Sequence, residues 1–585
     1  MAAPLAHDVR VFARLYILHD GFGRIAKRQE GRGLIGGTDE LIGPSSPWER
    51  VSATTHENLI FGPIPAHAQS HPSTFRAAGM KGLLRSYLKL ECEKHIQRHF
   101  EYLHELDEDI KRKSRRLGFP VPKVIKRPSY WALDERFNPF KTRASKKLEL
   151  YSFTLAKKVR IGQYEPETAL EHVVEKADGS DRKVSIFQLP DAALSLAVFR
   201  SLMHKNVNRL SGYAYAYRAD KTAHDAVHDV AHDLQSTERI YVAEFDFSKF
   251  FDQIDHGYLT RTLDTQGFLF TREERHVIEA FMHTRYAPQA TYKTAGISRT
   301  RGVPQGTSVS LFLANVACWE LDRALERVGV RFGRYADDTL VWSNSYSKVV
   351  QAYDEIRRFS ELAGVPINPT KSAGIHLLTR HVTGEIKTKE SVDYLGYCLS
   401  QRAISMKGGR CEKVKEWIAF LAYQNLLQPL KKGIYNSTRL GQLDWDYVVA
   451  LSQIRRYLYG GLNDETLRRY INGETPHLNF RGLMSYYPLI SDSEQLKELD
   501  GWMVYVLRQS LRKRQRLWAS HSGVVLPGPV PNWIDQIGNL KTWTSSSGQL
   551  FDLRIPSFQL INKAMQIALA RSGIAAVAAA KAAYY

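Results

Sequence analysis

Residues 331–343 read "RFGRYADDTLVWS" and set two adjacent aspartates, Asp337 and Asp338, between two apolar stretches. The stretches suit a pair of strands, with the aspartates at the tip of the hairpin that joins them. Folding alone gives no reason for two carboxylates in contact, since like charges repel and neither is readily buried without a partner. A cation resolves the conflict. Neighbours in a regular strand point to opposite faces, so a tight turn is needed to bring both toward one place. A third carboxylate, Asp246, ends the apolar run "RIYVAEFD" over residues 239–246, which suits a buried strand. Three carboxylates from two strands make a hard-oxygen cage of the kind that holds Mg2+ beside a substrate's phosphates. Two such ions ~4 Å apart can activate an attacking 3′-hydroxyl and stabilise a departing pyrophosphate.

The rest of the chain is consistent with a nucleic-acid partner. Its 585 residues exceed what one core usually holds, so several domains are expected. Lys and Arg number 81 against 61 Asp and Glu, and the net charge of +20 favours a polyanion over mere solubility. Cys92, Cys318, Cys398 and Cys411 stand far apart with no C-x-x-C pair, which argues against a zinc knuckle or a disulfide framework and fits a reducing compartment. The opening "MAAPLAHDVRVFARLYILHDGFGRIAKRQ" lacks the apolar core of a signal peptide, and no stretch approaches the ~20 apolar residues of a membrane span. A soluble, cytoplasmic protein with no membrane partner is expected.

Residues 1–80 are rich in turn formers and are expected to be an irregular extension. From Met80 the apolar residues recur at three and four, which predicts a long helix to about Arg116, stopping before "GFPVP". "SVSLFLANVACWELDRALERVG" predicts one helix, with Gly306, Thr307 and Ser308 as start signals and Gly329 as its stop. Beyond residue 411 the pattern is almost wholly helical apart from the loop-like "SGVVLPGPVPNW", and "INKAMQIALARSGIAAVAAAKAAYY" predicts an alanine-rich terminal helix. "RQSLRKRQRLW" reads equally as a solvated helix face or as a contact for template backbone and bases through its arginines and Trp518.

"FDFSKFFD", "RGVPQGTSVSLFLANV", "YADD", "INPTKS" and "DYLGY" stand in an order and spacing that resembles the palm motifs of reverse transcriptases, most closely the bacterial group II intron lineage and its defence-associated (anti-phage) relatives. Upstream, "GSDRKVSIFQLPD" and "YAYRADKTAHDAV" look like the fingers motifs, and "FRGLMSYYPLI" with "LKELDGWMVYVLRQSLRKR" resembles, more loosely, the helical thumb. The resemblance implies an α+β right-hand polymerase. It would comprise an extension (1–80), N-terminal helices and fingers (81–238), a palm of antiparallel sheet plus helices (239–400), a thumb-like helical region (401–518), and a linker with a terminal helix (519–585). The implied activity is RNA-directed DNA synthesis in antiviral defence, with two Mg2+ ions, or Mn2+ in their place. The implied partners are an RNA template, nascent DNA and dNTPs, with a dedicated non-coding RNA or a second protein as further candidates.

Carried over residue by residue, the resemblance makes Asp246, Asp337 and Asp338 the metal-binding carboxylates and Lys371 the proton donor to pyrophosphate. Phe251 falls where the family sets an aromatic against the sugar's 2′ carbon, which excludes ribonucleotides. Gln305 and Gly306 line the nucleotide pocket, and Arg182 and Lys183, with Lys176 near, are candidates for gripping the triphosphate. Some defence-associated relatives prime from their own side chains, which makes Tyr584 and Tyr585 candidate protein primers. Leu311 stands where the intron-type motif usually has proline, which weakens the tie to mobile-intron enzymes but not the chemistry. No C-terminal zinc endonuclease module is visible, and "VTG" at 382–384 resembles a retron signature by chance, its companion motif being missing. The alternative reading is a maturase-like RNA-binding protein that uses the polymerase fold as a scaffold, though a scaffold has no reason to keep three metal carboxylates.

Overall fold

The computed structural model describes residues 77–125, 135–144, 146–175, 181–236, 239–288, 296–372, 374–379, 387–440, 444–521, 542–544, 548 and 550–577. The chain divides into two compact units. One takes the described residues up to Tyr102 together with Ile125–Ser391, and the other takes Leu103–Val124 together with the described residues from Val392 onward. Helix α1 (Ala77–Leu117) contributes to both. It buries Met80, Leu84, Leu88, Cys92 and Ile96, the four-residue stripe that its sequence spacing predicts. No helix among the described residues is long and apolar enough to cross a membrane.

The strands of the first unit are β1 (Ala169–Glu175), β2 (Asp181–Ile186), β3 (Ile240–Phe245), β4 (Arg285–Pro288), β5 (Ile297–Ser298), β6 (Arg331–Tyr335), β7 (Asp338–Ser343), β8 (Ile375–Leu378) and β9 (Thr388–Lys389). They form a four-stranded sheet in the order β2-β1-β4-β5 and a five-stranded sheet in the order β6-β7-β3-β8-β9. In the larger sheet β3 lies antiparallel to both β7 and β8. Its core helices are α2 (Leu189–Asn206) and α3 (Ser308–Ala317), and α3 is buried along its whole length. A helix that is apolar all round has no other stable place.

The single helix expected from Ser308 to Gly329 is interrupted at Cys318. Cys318, at φ −85° and ψ −1°, leaves helical geometry between α3 and α4 (Trp319–Val328). The Trp319 indole and the Arg323 guanidinium both donate to the Arg209 carbonyl, at 2.9 and 2.7 Å, and so anchor α4. Helix α3 starts where the start signals place it, with Thr307 in the N-cap position, but Thr307 makes no side-chain cap, and Ser195 of α2 accepts the Val309 amide at 3.0 Å while hydrogen-bonding Thr307.

Helix α5 (Tyr346–Ala363) covers one face of the large sheet, where Tyr353 meets Phe245 at 5.1 Å and Tyr346 meets Tyr241 at 5.4 Å between ring centroids. The odd-numbered residues of β3 therefore face α5. Glu244 and, one step past the strand, Asp246 face the other way.

The second unit carries the three-stranded sheet of β10 (Ser391–Tyr394), β11 (Tyr397–Ser400) and β12 (Ile404–Met406), most of which the motif-based division places in residues 239–400. It is otherwise largely helical, with α6 (Gly408–Ala422), α7 (Trp445–Tyr459), α8 (Ser493–Ala519) and α9 (Phe558–Ser572), plus a hairpin of β13 (Thr542–Thr544) and β14 (Leu550–Asp552) that the helical pattern does not predict. A π-helical turn, Tyr423–Leu427, follows α6. Its wider coil releases carbonyls from the helical ladder. Those of Gln424 and Leu426 are taken by the guanidinia of Arg116 at 3.0 Å and Arg514 at 2.8 Å. The terminal helix also differs from expectation: α9 stops at Ser572 because Gly573, at φ +74°, turns left-handed, and a short 3-10 turn follows. The "SGVVLPGPVPNW" stretch lies almost wholly outside the described residues.

Candidate active site

The β6–β7 ladder runs from Arg331↔Trp342 to Tyr335↔Asp338 and leaves a two-residue loop, Ala336-Asp337. Ala336 has φ +59°, the sign that the first residue of a type II′ hairpin loop takes. This turn releases Asp337 from strand alternation, while Asp338 opens β7. Between β3 and β7 the register pairs Phe245 with Thr339. Continued one step, it sets Asp246 opposite Asp338 on the face away from α5, where cross-strand like charges repel.

The electrostatics bear this out. Asp337 is 5% exposed, and its Oδ1 has no hydrogen-bond partner among the described residues. Burial pushes its carboxyl up to about 7, the charge of Asp246 adds to the rise, and that of Arg182 opposes it. Asp338 is likewise raised to about 7, first by burial and then by Asp337 and Asp246. The loop 367–372 wraps the third carboxylate. Asn368 donates its amide to Asp246 Oδ2 at 3.0 Å, Lys371 Nζ stands 3.5 Å from the same oxygen, and the Asn368 backbone amide donates to the Asp246 carbonyl at 2.8 Å. Among the described residues no group of three His, Cys, Asp or Glu side chains is set to hold a metal ion. The donor set still suits Mg2+, which takes one or two carboxylates and leaves its other positions to water and phosphate. The unpaired oxygen of a buried, raised carboxyl is where such an ion would relieve the repulsion.

Phe251 lies in a helical turn, Phe250–Gln253, that Lys249 enters at φ +50°. The side chain is 4% exposed and meets Phe250 edge-on at 5.6 Å. Its carbonyl accepts the Val303 amide at 2.7 Å, and Gly302 donates to Ile254 at 2.8 Å, so the segment that leads into Gln305 is laced to the segment that carries Phe251. Gly306, at φ +123°, lies so near β2 that a Cβ there would overlap the Ser185 carbonyl oxygen. Only glycine permits that approach. The Gln305 carbonyl in turn accepts the Ser185 amide at 2.6 Å.

Arg182 Nε donates to Gln305 Oε1 at 2.7 Å, and Gln305 Nε2 donates to Asp252 Oδ2 at 3.4 Å. Burial raises the Asp252 carboxyl, with Arg299 and Arg182 opposing. Lys183 points to the other face of β2 and pairs with Glu171 of β1 at 3.3 Å. Of the two basic candidates, the structure thus joins Arg182 to Gln305 and sends Lys183 elsewhere. The sequence does not single out Asn368 and Asp252, although both lie inside quoted motifs. Lys176, Tyr584 and Tyr585 lie outside the described residues.

Residues 174–399, which include every one of these described side chains except Glu171, match the family described as "Reverse transcriptase (RNA-dependent DNA polymerase)". This segment is thus similar to a reverse transcriptase domain, and the α+β architecture of the chain agrees with that expected from the motifs. No curated protein matches the chain in sequence. Among solved structures, apo telomerase from Candida tropicalis truncated from its C-terminal domain aligns at 12% identity over 41% of this chain and 55% of its own, with a TM-score of 0.32. The chain thus spans about half of that structure's length. Telomerase from Candida albicans in complex with a TWJ fragment of telomeric RNA aligns at 12% identity over 68% of this chain and 69% of its own, with a TM-score of 0.33.

Proposed function

We propose that the protein is an RNA-directed DNA polymerase that extends a primer 3′-end with deoxynucleotides, using two divalent cations, Mg2+ in the first place, held by Asp246, Asp337 and Asp338. The observation that carries this reading is the trio of carboxylates at one end of the large sheet, with Asp337 buried and one of its oxygens unpaired. When bound, the ions supply a deprotonated 3′-hydroxyl and neutralise charge on the triphosphate. Gln305, oriented by Arg182 and Asp252, and Gly306, flush against β2, shape the nucleotide pocket. Phe251 excludes a 2′-hydroxyl by contact. Lys371, beside Asp246, is placed to give a proton to pyrophosphate.

RNA template, nascent DNA and dNTPs are the partners of this reading, and the net charge of +20 supports a polyanionic one. A fingers–palm–thumb division, a group II intron-like lineage and an antiviral setting belong to the same reading and are supported by the order of the sequence motifs. The test is dNTP incorporation on a primed RNA template. Wild type should extend the primer, chelation of divalent cations should stop it, and Asp337→Ala or Asp246→Ala should lower the rate on the order of a thousandfold. A mutant within tenfold of wild type would remove the trio from the chemistry.

A further inference from the structure

Arg334, three residues before Asp337 and fully buried, spends all five of its guanidinium donors inside the first unit. Nε and Nη2 meet the two Asp322 oxygens at 2.7 and 2.6 Å, Nη1 donates to the Ala336 carbonyl at 3.0 Å, and Nη1 and Nη2 each reach Asn315 Oδ1 at 3.4 Å. The anchors are themselves fixed. Asp322 lies on α4 and is wholly buried, and Asn315 lies on α3 and donates to the Ala216 carbonyl at 3.0 Å. The Arg334 backbone is tied on both sides, its amide to the Tyr213 carbonyl and its carbonyl to the Tyr215 amide, each at 2.9 Å.

Stability does not account for this arrangement, because an apolar pair of similar volume is commonly as stable as a buried ion pair or more so. The contact with Ala336 does. That residue is held left-handed without being glycine, and its carbonyl is the hinge from which Asp337 is aimed. We infer that Arg334, seated on Asp322 and Asn315, is the positioning residue of the Asp337–Asp338 hairpin, fixing through the Ala336 carbonyl the angle at which the two carboxylates are presented to the cations. The inference rests on the reading of those aspartates as metal ligands.

The test pairs Arg334→Lys, which keeps the charge and loses the fork, with the double variant Arg334→Met, Asp322→Leu, which removes both charges together. In variants folded by circular dichroism and thermal melting, kcat for dNTP incorporation should fall about tenfold to a hundredfold while KM for dNTP stays within about threefold. The loss should be larger with Mg2+, which demands near-octahedral ligands, than with Mn2+. In template-free protein, Mn2+ affinity followed by electron paramagnetic resonance should weaken several-fold. A merely structural pair would lower the active fraction equally with both metals and leave Mn2+ affinity per folded molecule unchanged, and that result would overturn the inference. So would wild-type kcat in either folded variant, or failure of both to fold, which would make the pair a folding element. Activity retained by Asp337→Ala would instead bring down the reading of the site itself.

Discussion

Asp444 and Asp446 in the second unit and Asp337 and Asp338 in the first are both close pairs of aspartates at the start of a regular element, and they are treated in opposite ways. Arg514 meets Asp444 at 2.6 Å and Asp446 at 3.0 Å, while Arg439 takes the remaining Asp446 oxygen at 2.5 Å. Burial raises the Asp444 carboxyl, but the Arg514 charge opposes the rise. At the hairpin no guanidinium among the described residues pairs with either aspartate. Asp337 keeps an unpaired oxygen, and the ammonium of Lys371 stands beside Asp246 instead. At Asp444 and Asp446 the chain brings an arginine to each carboxylate. Where it sets three carboxylates against one another, the repulsion is offset by protonation or, in the proposed reading, by bound cations.

The contrast predicts stability effects of opposite sign. Arg514→Met leaves Asp444 buried without its counterion and Asp446 with Arg439 alone, and should lower unfolding free energy by about 3–5 kcal/mol, read by urea denaturation. Asp337→Asn should leave stability unchanged or raise it by about 1 kcal/mol while abolishing incorporation. Equal destabilisation by the two would erase the distinction between a structural and a functional aspartate pair.

Phe251 sharpens the comparison from the side of shape, since the proposed selection against ribonucleotides uses no charge. Phe251→Ala truncates a buried ring and should cost about 3 kcal/mol, and in the folded fraction it should relax dNTP-over-rNTP discrimination by about tenfold or more in primer extension. Unchanged discrimination would make Phe251 a core residue only.

The smallest effect is on pH dependence. The hairpin carboxyls titrate at about 7 when folded, against an ordinary value of 3.8, so the folded protein holds protons that the unfolded chain has released. Stability of the metal-free protein should therefore fall as pH rises from about 4 to about 7. Thermal melts at pH 5 and pH 8 in chelator should show the drop, and an Asp337→Asn, Asp338→Asn variant should show less of it. A rise across that interval would mean that the pair is neutralised by the protein itself.

Much of this site is legible in the order of residues along the chain. Asp337, Asp338 and Asp246 each mark the end of an apolar run, a local pattern that hydrophobic periodicity exposes, and α1 and β3 appear close to the bounds their spacing predicts. Local rules fail where a distant residue does the deciding. Ser195 supplies the side-chain acceptor at the start of α3, and the Arg209 carbonyl ties down Trp319 and Arg323 of α4 beyond the break at Cys318. Arg182 and Lys183 are interchangeable as neighbouring basic residues, and strand alternation assigns one to Gln305 and the other to Glu171.

The amino-acid sequence by itself determined the residues of the proposed chemistry and the strands that carry them, because charge type and apolar period are properties of neighbours along the chain. Only the tertiary structure decided which charges would be neutralised. Arg334 finds Asp322 on a separate helix and Arg514 finds Asp444 across 70 residues, while Asp337, flanked by its own kind, finds no hydrogen-bond partner for Oδ1 among the described residues. Pairing of that sort follows from the packing of elements remote in sequence, where burial strips away water and makes each unpaired charge costly enough to matter.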